Sequence, residues 1–162
     1  MILADLATLL AEQLAFASAA LDNQFMVAAM VLLITTSVIG LCVPGLLMPI
    51  SFSAGLLMES WLAVPVVAAG AVLGSQGLFF AARRGMGEKL KQRLAGRMAR
   101  YTPHLERYGI FYVAGLRVVG TPHALVTFAS AASPLRHDRF ALASLLGFFP
   151  AIAIAAGAGT AF

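Results

Sequence analysis

One charged side chain stands inside a long uncharged stretch, directly before a sequence that breaks helices. Arg117 follows nine uncharged residues and precedes eighteen, and Gly120, Pro122 and His123 come just after it. A guanidinium binds phosphate through two parallel N–H groups, and backbone N–H groups freed at a helix break add further donors. The pattern predicts an anion site at Arg117 and Gly120, with His123 beside it as a group that titrates near neutrality.

Simpler interpretations apply to the same side chains. Arg117 lies only about 14 Å along a helix from Tyr108, so its long side chain can also extend to the membrane surface. For His123 a structural role is the simpler alternative. Arg83, at the end of another uncharged stretch, either binds a lipid headgroup or anchors a membrane span. The sequence leaves these alternatives open.

The elements that position these residues are predicted to be membrane helices. The chain has 162 residues, of which 60% are hydrophobic and 11% are charged, whereas a soluble domain carries about a quarter charged residues. Residues 60–82 and 140–162 are free of charge, and a span needs about 20 apolar residues. We therefore expect an all-α integral membrane protein with spans at 60–82 and 140–161.

Two further apolar segments are interrupted. Proline lacks the N–H that a helix interior requires, and we expect residues 25–58 and 109–135 to form two broken helical hairpins. Broken backbone in a membrane is tolerated only inside the protein or beside a wet cavity. Matching interruptions in two halves are typical of transporters with a site at a repeat interface, which favours an inverted repeat. The predicted break residues are Pro44, Gly45, Pro49 and Pro122.

The positive charge is concentrated in one connection. Residues 83–107 hold eight basic and two acidic residues, a net +6, while the whole chain has +4. Lys and Arg accumulate in cytoplasmic loops, so we expect residues 83–108 to form a basic cytoplasmic connection of a bacterial inner-membrane protein. Contact with anionic lipid explains the charge better than nucleic acid does.

The N-terminal residues 1–24 form a separate segment. Asp5, Thr8 and Glu12 share one helical face and leucines occupy the others, which predicts an amphipathic helix at the membrane interface. A tilted span is the alternative. The segment lacks the basic start of a secretory signal peptide.

Several short motifs, taken in order, resemble the DedA family, also called the VTT-domain superfamily. The run from Gly74 to Arg83 lies where that family has a Gly-Asp, a Tyr and a Gly-Arg. Arg117 looks like the start of its Arg-x-x-Pro-x-x-Arg element. The resemblance covers residues 36–160 and also includes Tyr108, Gly109, Phe140, Gly147 and Pro150.

The resemblance implies two re-entrant hairpins that enter from opposite faces, and transport or scrambling of lipids such as polyprenyl phosphates. The chain departs from the family pattern where acids are expected, with Leu46 after Pro-Gly and Ser75 after Gly74. Gly120 replaces the family's proline and His123 its second arginine. Proton coupling through those carboxylates is therefore not expected, while lipid handling through Arg117 is.

We therefore predict a membrane lipid transporter or scramblase-like protein that moves phospholipid or polyprenyl phosphate between leaflets. Its expected partners are these lipids, together with a second copy or a membrane partner protein. The alternative is a non-transporting scaffold or assembly subunit. The dispersed histidines predict no metal site, no cofactor is implied, and no catalytic motif indicates an enzyme. A proton-coupled exporter would need an intramembrane carboxylate, and only Glu12 and Glu59 come near that requirement.

Overall fold

The computed structural model describes residues 24–43, 45–85, 104 and 107–161, and all of its regular structure in these ranges is helical. The predicted N-terminal amphipathic helix, most of the basic connection and Pro44 lie outside the described residues. The helices are α1 (Gln24–Gly40), α2 (Leu47–Leu57), α3 (Ser60–Gly85), α4 (Ile110–Val118), α5 (His123–Ala132) and α6 (His137–Thr160).

Two of these helices, α3 with 26 residues and α6 with 24, are long and apolar enough to cross a membrane. They correspond to the two predicted spans, with α3 continuing to Gly85 and α6 beginning at His137. They pack side by side in opposite directions. The Gln76 side-chain amide, toward the end of α3, donates to the carbonyl oxygen of His137, the first residue of α6, at 2.8 Å.

The four shorter helices pack in the same way in both halves of the chain. We call α1 and α2 the first pair and α4 and α5 the second pair. The first helix of each pair packs on the long helix of its own half, so α1 lies on α3 and α4 lies on α6. The second helix of each pair packs on the other long helix, so α2 lies on α6 and α5 lies on α3.

The open ends of the two pairs lie at opposite ends of α3. Gln24, Leu57 and Glu59 line one cavity of about 360 Å³ together with the last residues of α6, so the first pair opens where α3 begins. The second pair opens where α3 ends, because the Arg83 guanidinium donates to the carbonyl oxygen of Ser133, just beyond α5, at 3.3 Å. Arg83 also donates to the carbonyl oxygen of Leu135 at 3.2 Å.

The buried apolar side chains form two clusters, one toward each end of the α3–α6 pair. One cluster joins the first pair to the first half of α3 and the second half of α6. The other joins the second pair to the second half of α3 and the first half of α6. Between the clusters, α6 carries Ser144 and Gly147 in place of large side chains. The middle of the fold therefore has room for polar groups.

Both interruptions begin with the same turn. After α1, the N–H of Cys42 donates to Ile39 and the N–H of Val43 to Val38. After α4, the N–H of Gly120 donates to Arg117 and the N–H of Thr121 to Leu116. Each turn is a Schellman motif, which places one residue in the left-handed region. That residue is Cys42 (φ 59°) after α1 and Gly120 (φ 83°) after α4.

The prolines lie at different points relative to these turns. Pro122 is the N-cap of α5, directly after the second turn. Pro49 is the third residue of α2 and lies inside the helix, not in the interruption. A proline is tolerated there because the first four N–H groups of a helix have no partner within it. Gly45, with φ 80°, is the residue of the first interruption that needs glycine's conformational freedom.

The two turns predict opposite effects of exchanging their left-handed residues. A left-handed conformation costs a non-glycine residue about 1–2 kcal/mol, and a Cβ on Gly120 would meet nothing within 4 Å. We expect Cys42→Gly to raise the midpoint of thermal unfolding in detergent and Gly120→Ala to lower it, by a few degrees each. Shifts of the same sign in both variants would contradict this assignment.

Candidate functional site

Arg117, the eighth residue of α4, is buried midway along α6. Its exposed fraction is 8%, and its aliphatic carbons pack against Gly147, the eleventh of the 24 residues of α6. The nearer end of α6 is therefore about 15 Å away along the helix. This burial favours the interior position of Arg117 over the surface-directed alternative.

The guanidinium contacts the imidazole of His123 across the interruption between α4 and α5. Arg117 Nη1 lies 2.8 Å from His123 Nδ1. A guanidinium has only donors, so Nδ1 must accept this hydrogen bond, which makes His123 the neutral tautomer with its proton on Nε2. The turn at Gly120 reverses the chain, so residues six apart meet.

The rest of the donor surface is unused. Arg117 Nε and Nη2 and His123 Nε2 are buried and have no hydrogen-bond partner among the residues that the structure describes. Nε–H and Nη2–H are the two parallel donors of one guanidinium edge, the geometry that fits two oxygens of a phosphate or carboxylate. An unmade hydrogen bond of a buried charged group is costly. Three buried donor nitrogens thus have no acceptor among the described residues, and the groups that would satisfy them are anionic or polar oxygens.

Aromatic rings form the apolar side of the site. The central carbon of the guanidinium lies 4.3 Å from the ring centroid of Phe148 and 5.3 Å from that of Phe140. The Phe148 ring also lies 5.8 Å from the His123 ring, and Phe79 stacks on Phe140 at 4.7 Å. Rings of this kind stabilise a desolvated cation without supplying a counter-charge. The charge of Arg117 is left available for a ligand.

Gly147 makes room for Arg117. An added Cβ at position 147 would lie 2.7 Å from Cβ of Arg117 and 3.0 Å from the carbonyl oxygen of Ala114. Both atoms belong to or adjoin the α4 backbone, so any larger residue would displace α4. Phe140 and Gly147 were singled out in the sequence only by resemblance. In the structure the Phe140 ring lies beside the guanidinium, and Gly147 leaves the space that Arg117 occupies.

The first interruption contributes one side chain near the site. The thiol of Cys42, just beyond α1, is close enough to Arg117 for an electrostatic interaction. The hydroxyl of Ser75, where the resemblance led to an aspartate, instead donates to the carbonyl oxygen of Ala71 at 2.7 Å. Ser75 therefore does not substitute for a carboxylate partner of Arg117.

The remaining predicted site residues lie apart from this cluster. Arg83 is at the end of α3, where two carbonyl oxygens occupy its guanidinium and its central carbon lies 5.2 Å from the Phe79 ring centroid. These contacts hold the Arg83 side chain against the backbone that follows α5. Headgroup binding by Arg83 stays a prediction. Gly120 contributes backbone conformation. The structure thus brings Arg117 and His123 together and leaves Arg83 apart from them, at the end of α3.

The aromatic side of the site, formed by Phe140 and Phe148, could hardly be predicted from the sequence. Phe140 and Phe148 are eight residues apart, so they lie on one face of α6. That spacing is common among apolar residues of any membrane helix and does not point to an arginine on another helix. Cys42 likewise carried no signal, because its approach to Arg117 depends on how the two interruptions pack.

The fold and the site together define a class of protein. The described part of this membrane protein is helical, with two span-length helices, two interrupted helix pairs and a buried arginine in the second pair. The family model of the VTT domain matches residues 43–161. The chain therefore belongs to the VTT domain family, the domain of the DedA and SNARE-associated membrane proteins. No curated protein and no solved structure matched the chain.

Proposed function

We propose that the chain moves phosphate-bearing lipids between the two leaflets of the membrane, with the free edge of Arg117 binding the phosphate. The observation that carries the proposal is this unpartnered guanidinium edge of α4, which is buried against the middle of the span-length helix α6. An arginine in mid-membrane costs about 2.5–3.5 kcal/mol on insertion scales, and such residues usually mark a substrate pathway. No carboxylate contacts Arg117 among the described residues, and the partner that we propose for it is an anion from outside the protein.

His123 and Gly120 complete the proposed binding site. His123 Nε2–H adds a third donor beside the guanidinium edge. Gly120 sets the reversal after which α5 begins, and the N-cap Pro122 leaves the first amides of α5 without a side-chain cap. These amides carry the positive end of the helix dipole. All of these donor groups around the interruption therefore present positive charge to a ligand.

We also propose that the two pairs are re-entrant hairpins related as an inverted repeat. Three features support this arrangement: the same Schellman turn at both interruptions, the same exchange of packing partners, and open ends at opposite ends of α3. In such an arrangement the interruptions meet near the membrane midplane, where a headgroup crossing between leaflets needs polar contacts.

The proposed location is a bacterial inner membrane, with the end of α3 on the cytoplasmic side. Arg83 and Arg84 end α3, and Arg136 and Arg139 flank the start of α6 at the same end of the molecule. Basic residues favour the cytoplasmic face of a membrane.

Purified protein in lipid vesicles tests the proposal. Three fluorescent lipids are compared: one with a phosphomonoester headgroup, one with a phosphodiester headgroup, and a neutral glycolipid without phosphate. A membrane-impermeant quencher reports how fast each label crosses from the inner leaflet. We expect both phosphate-bearing lipids to cross faster than in protein-free vesicles and the glycolipid to cross at the protein-free rate.

Two outcomes would contradict lipid movement through this site. Equal acceleration of the glycolipid would indicate a nonspecific bilayer defect around the protein. No acceleration of any lipid, combined with stable co-purification of another membrane protein, would favour the scaffold or assembly subunit.

A further inference from the structure

The contact between Arg117 and His123 has only one stable protonation pattern. Nδ1 of His123 accepts a hydrogen bond from Nη1 of Arg117 at 2.8 Å, and it can accept only while it carries no proton. A protonated imidazole would place two cationic donors against each other at this distance. While this contact exists, His123 is therefore neutral, and the lone pair of Nδ1 accepts from Arg117.

A bound phosphate changes this balance. Its oxygens accept from the free Nε–H and Nη2–H edge of Arg117 and from Nε2–H of His123. They also bring negative charge beside the imidazole, which stabilises the imidazolium. A phosphate oxygen that also accepts from Nη1 replaces Nδ1 as the acceptor for Arg117, and Nδ1 is then free to take a proton and become a donor itself.

We propose that His123 takes up one proton when a phosphate group binds to Arg117, so that the anion and the proton occupy the site together. This inference rests on the proposed function of the site. The proton comes from the water from which the headgroup enters and bonds to Nδ1. It returns to water when the phosphate leaves and Nδ1 again accepts from Arg117. No covalent bond to the ligand forms or breaks.

No other described titratable group competes for this role. The charged residues of α3 are Arg83 and Arg84 at its end, and those of α6 are in its first turn, where His137, Asp138 and Arg139 are exposed. The described residues of α1, α2 and α5 carry no other charged side chain, and Glu59 lies where α3 begins. From the first interruption, Cys42 interacts electrostatically with Arg117. His123 is thus the one imidazole in the middle of the described fold.

The site consequently gains a means of coupling that does not use a carboxylate. If the phosphate crosses with His123 protonated, one proton accompanies each anion, and a pH difference across the membrane biases the direction of movement. The imidazole of His123 has two states, because the lone pair of Nδ1 either accepts the hydrogen bond from Arg117 or binds the proton.

Calorimetric titration tests the proposal. The probe is dioctanoyl phosphatidylglycerol, a phosphodiester that does not itself titrate near neutral pH, added to the purified protein in an uncharged detergent. Titrations in two buffers of different ionisation enthalpy give the number of protons taken up. We expect uptake to approach one proton per bound lipid at about pH 6 and, by linkage, a dissociation constant that rises with pH by up to about tenfold per unit until His123 in the complex is deprotonated.

Two variants locate the proton. His123→Asn keeps an acceptor oxygen near the position of Nδ1 but cannot titrate, so we expect it to bind the lipid with no proton uptake. His137→Asn removes an exposed histidine outside the site and is the matched control, with uptake unchanged. Undiminished uptake by His123→Asn would overturn the proposal.

Titration of the wild-type protein distinguishes proton uptake by His123 from phosphate binding by Arg117. Binding of the lipid without proton uptake would overturn the role of His123 and leave phosphate binding by Arg117 intact. No binding at all would remove the proposed site itself. Should His123→Asn fail to fold, ¹⁵N imidazole shifts of the wild type decide, because the lipid must convert a neutral Nε2–H ring to an imidazolium. An unchanged neutral ring in the bound state would contradict the proposal.

Discussion

Replacement of Arg117 by methionine is expected to abolish movement of phosphate-bearing lipid while leaving the fold as stable as the wild type or more so. Arg117 is desolvated, unpaired by any described carboxylate, and lined by Phe140 and Phe148. Replacing buried charge by apolar side chains of similar volume is often neutral or stabilising. If Arg117 served only packing, Arg117→Met would lower the stability of the fold and leave lipid movement largely unchanged.

A graded series gives the magnitude. Arg117→Lys keeps the charge and loses the two-donor edge, so we expect the rate of lipid crossing to fall about ten- to a hundredfold, the equivalent of one charge-assisted hydrogen bond. The measurement is quencher access in vesicles, with thermal unfolding in detergent as the parallel readout. Arg139→Gln, an exposed arginine in the first turn of α6, is the matched control and should cross lipid at the wild-type rate.

Two results would remove Arg117 from the mechanism. Lipid crossing by Arg117→Met at the wild-type rate would show that the guanidinium does not bind the headgroup. Equal losses for Arg117→Met and Arg139→Gln would attribute the effect to net charge and not to the site.

The largest effect on stability is expected at Gly159, near the end of α6. A Cβ at this position would overlap the backbone carbonyl oxygen of Phe52 in α2, and the opposing Gly55 meets the carbonyl oxygen of Ala156 in the same way. Backbone cannot move aside as a flexible side chain can. Small residues at such a crossing permit the close packing that holds membrane helices together.

We therefore expect Gly159→Ala to cost about 1–3 kcal/mol, the usual range for overpacking. This corresponds to a drop of about 3–10 °C in the unfolding midpoint of a chain of this size. Gly157→Ala is the matched control two residues away, where an added Cβ meets nothing within 4 Å. The control should be neutral or slightly stabilising, because alanine favours a helix over glycine. A similar drop in both variants would show that the close crossing of α2 and α6 is not the cause.

The sequence predicted the long helices because the length of a charge-free stretch directly measures a span. The spans expected at 60–82 and 140–161 became α3 and α6, extended by three residues at their basic ends. It also placed both interruptions beside prolines. The role given to Pro49 was less accurate, because a proline near a helix start does not interrupt that helix.

The site was only half predictable for a physical reason. Isolation of Arg117 within uncharged sequence indicated a functional charge, and nearness along the chain suggested His123. That these two side chains form a hydrogen bond depends on the left-handed backbone at Gly120, a single dihedral angle. The Phe148 contact and the room left by Gly147 depend on how α4 crosses α6, which local sequence does not determine.

A comparison of the two Schellman turns also bears on how many phosphates the proposed site can bind. In the second turn the carbonyl that accepts from the left-handed residue belongs to Arg117, and in the first turn it belongs to Ile39. Corresponding positions of the two turns thus hold one cation and one buried hydrocarbon side chain. The proposed site would therefore bind one phosphate at a time, and a ligand with two phosphates would leave the second in solvent or share it with another molecule.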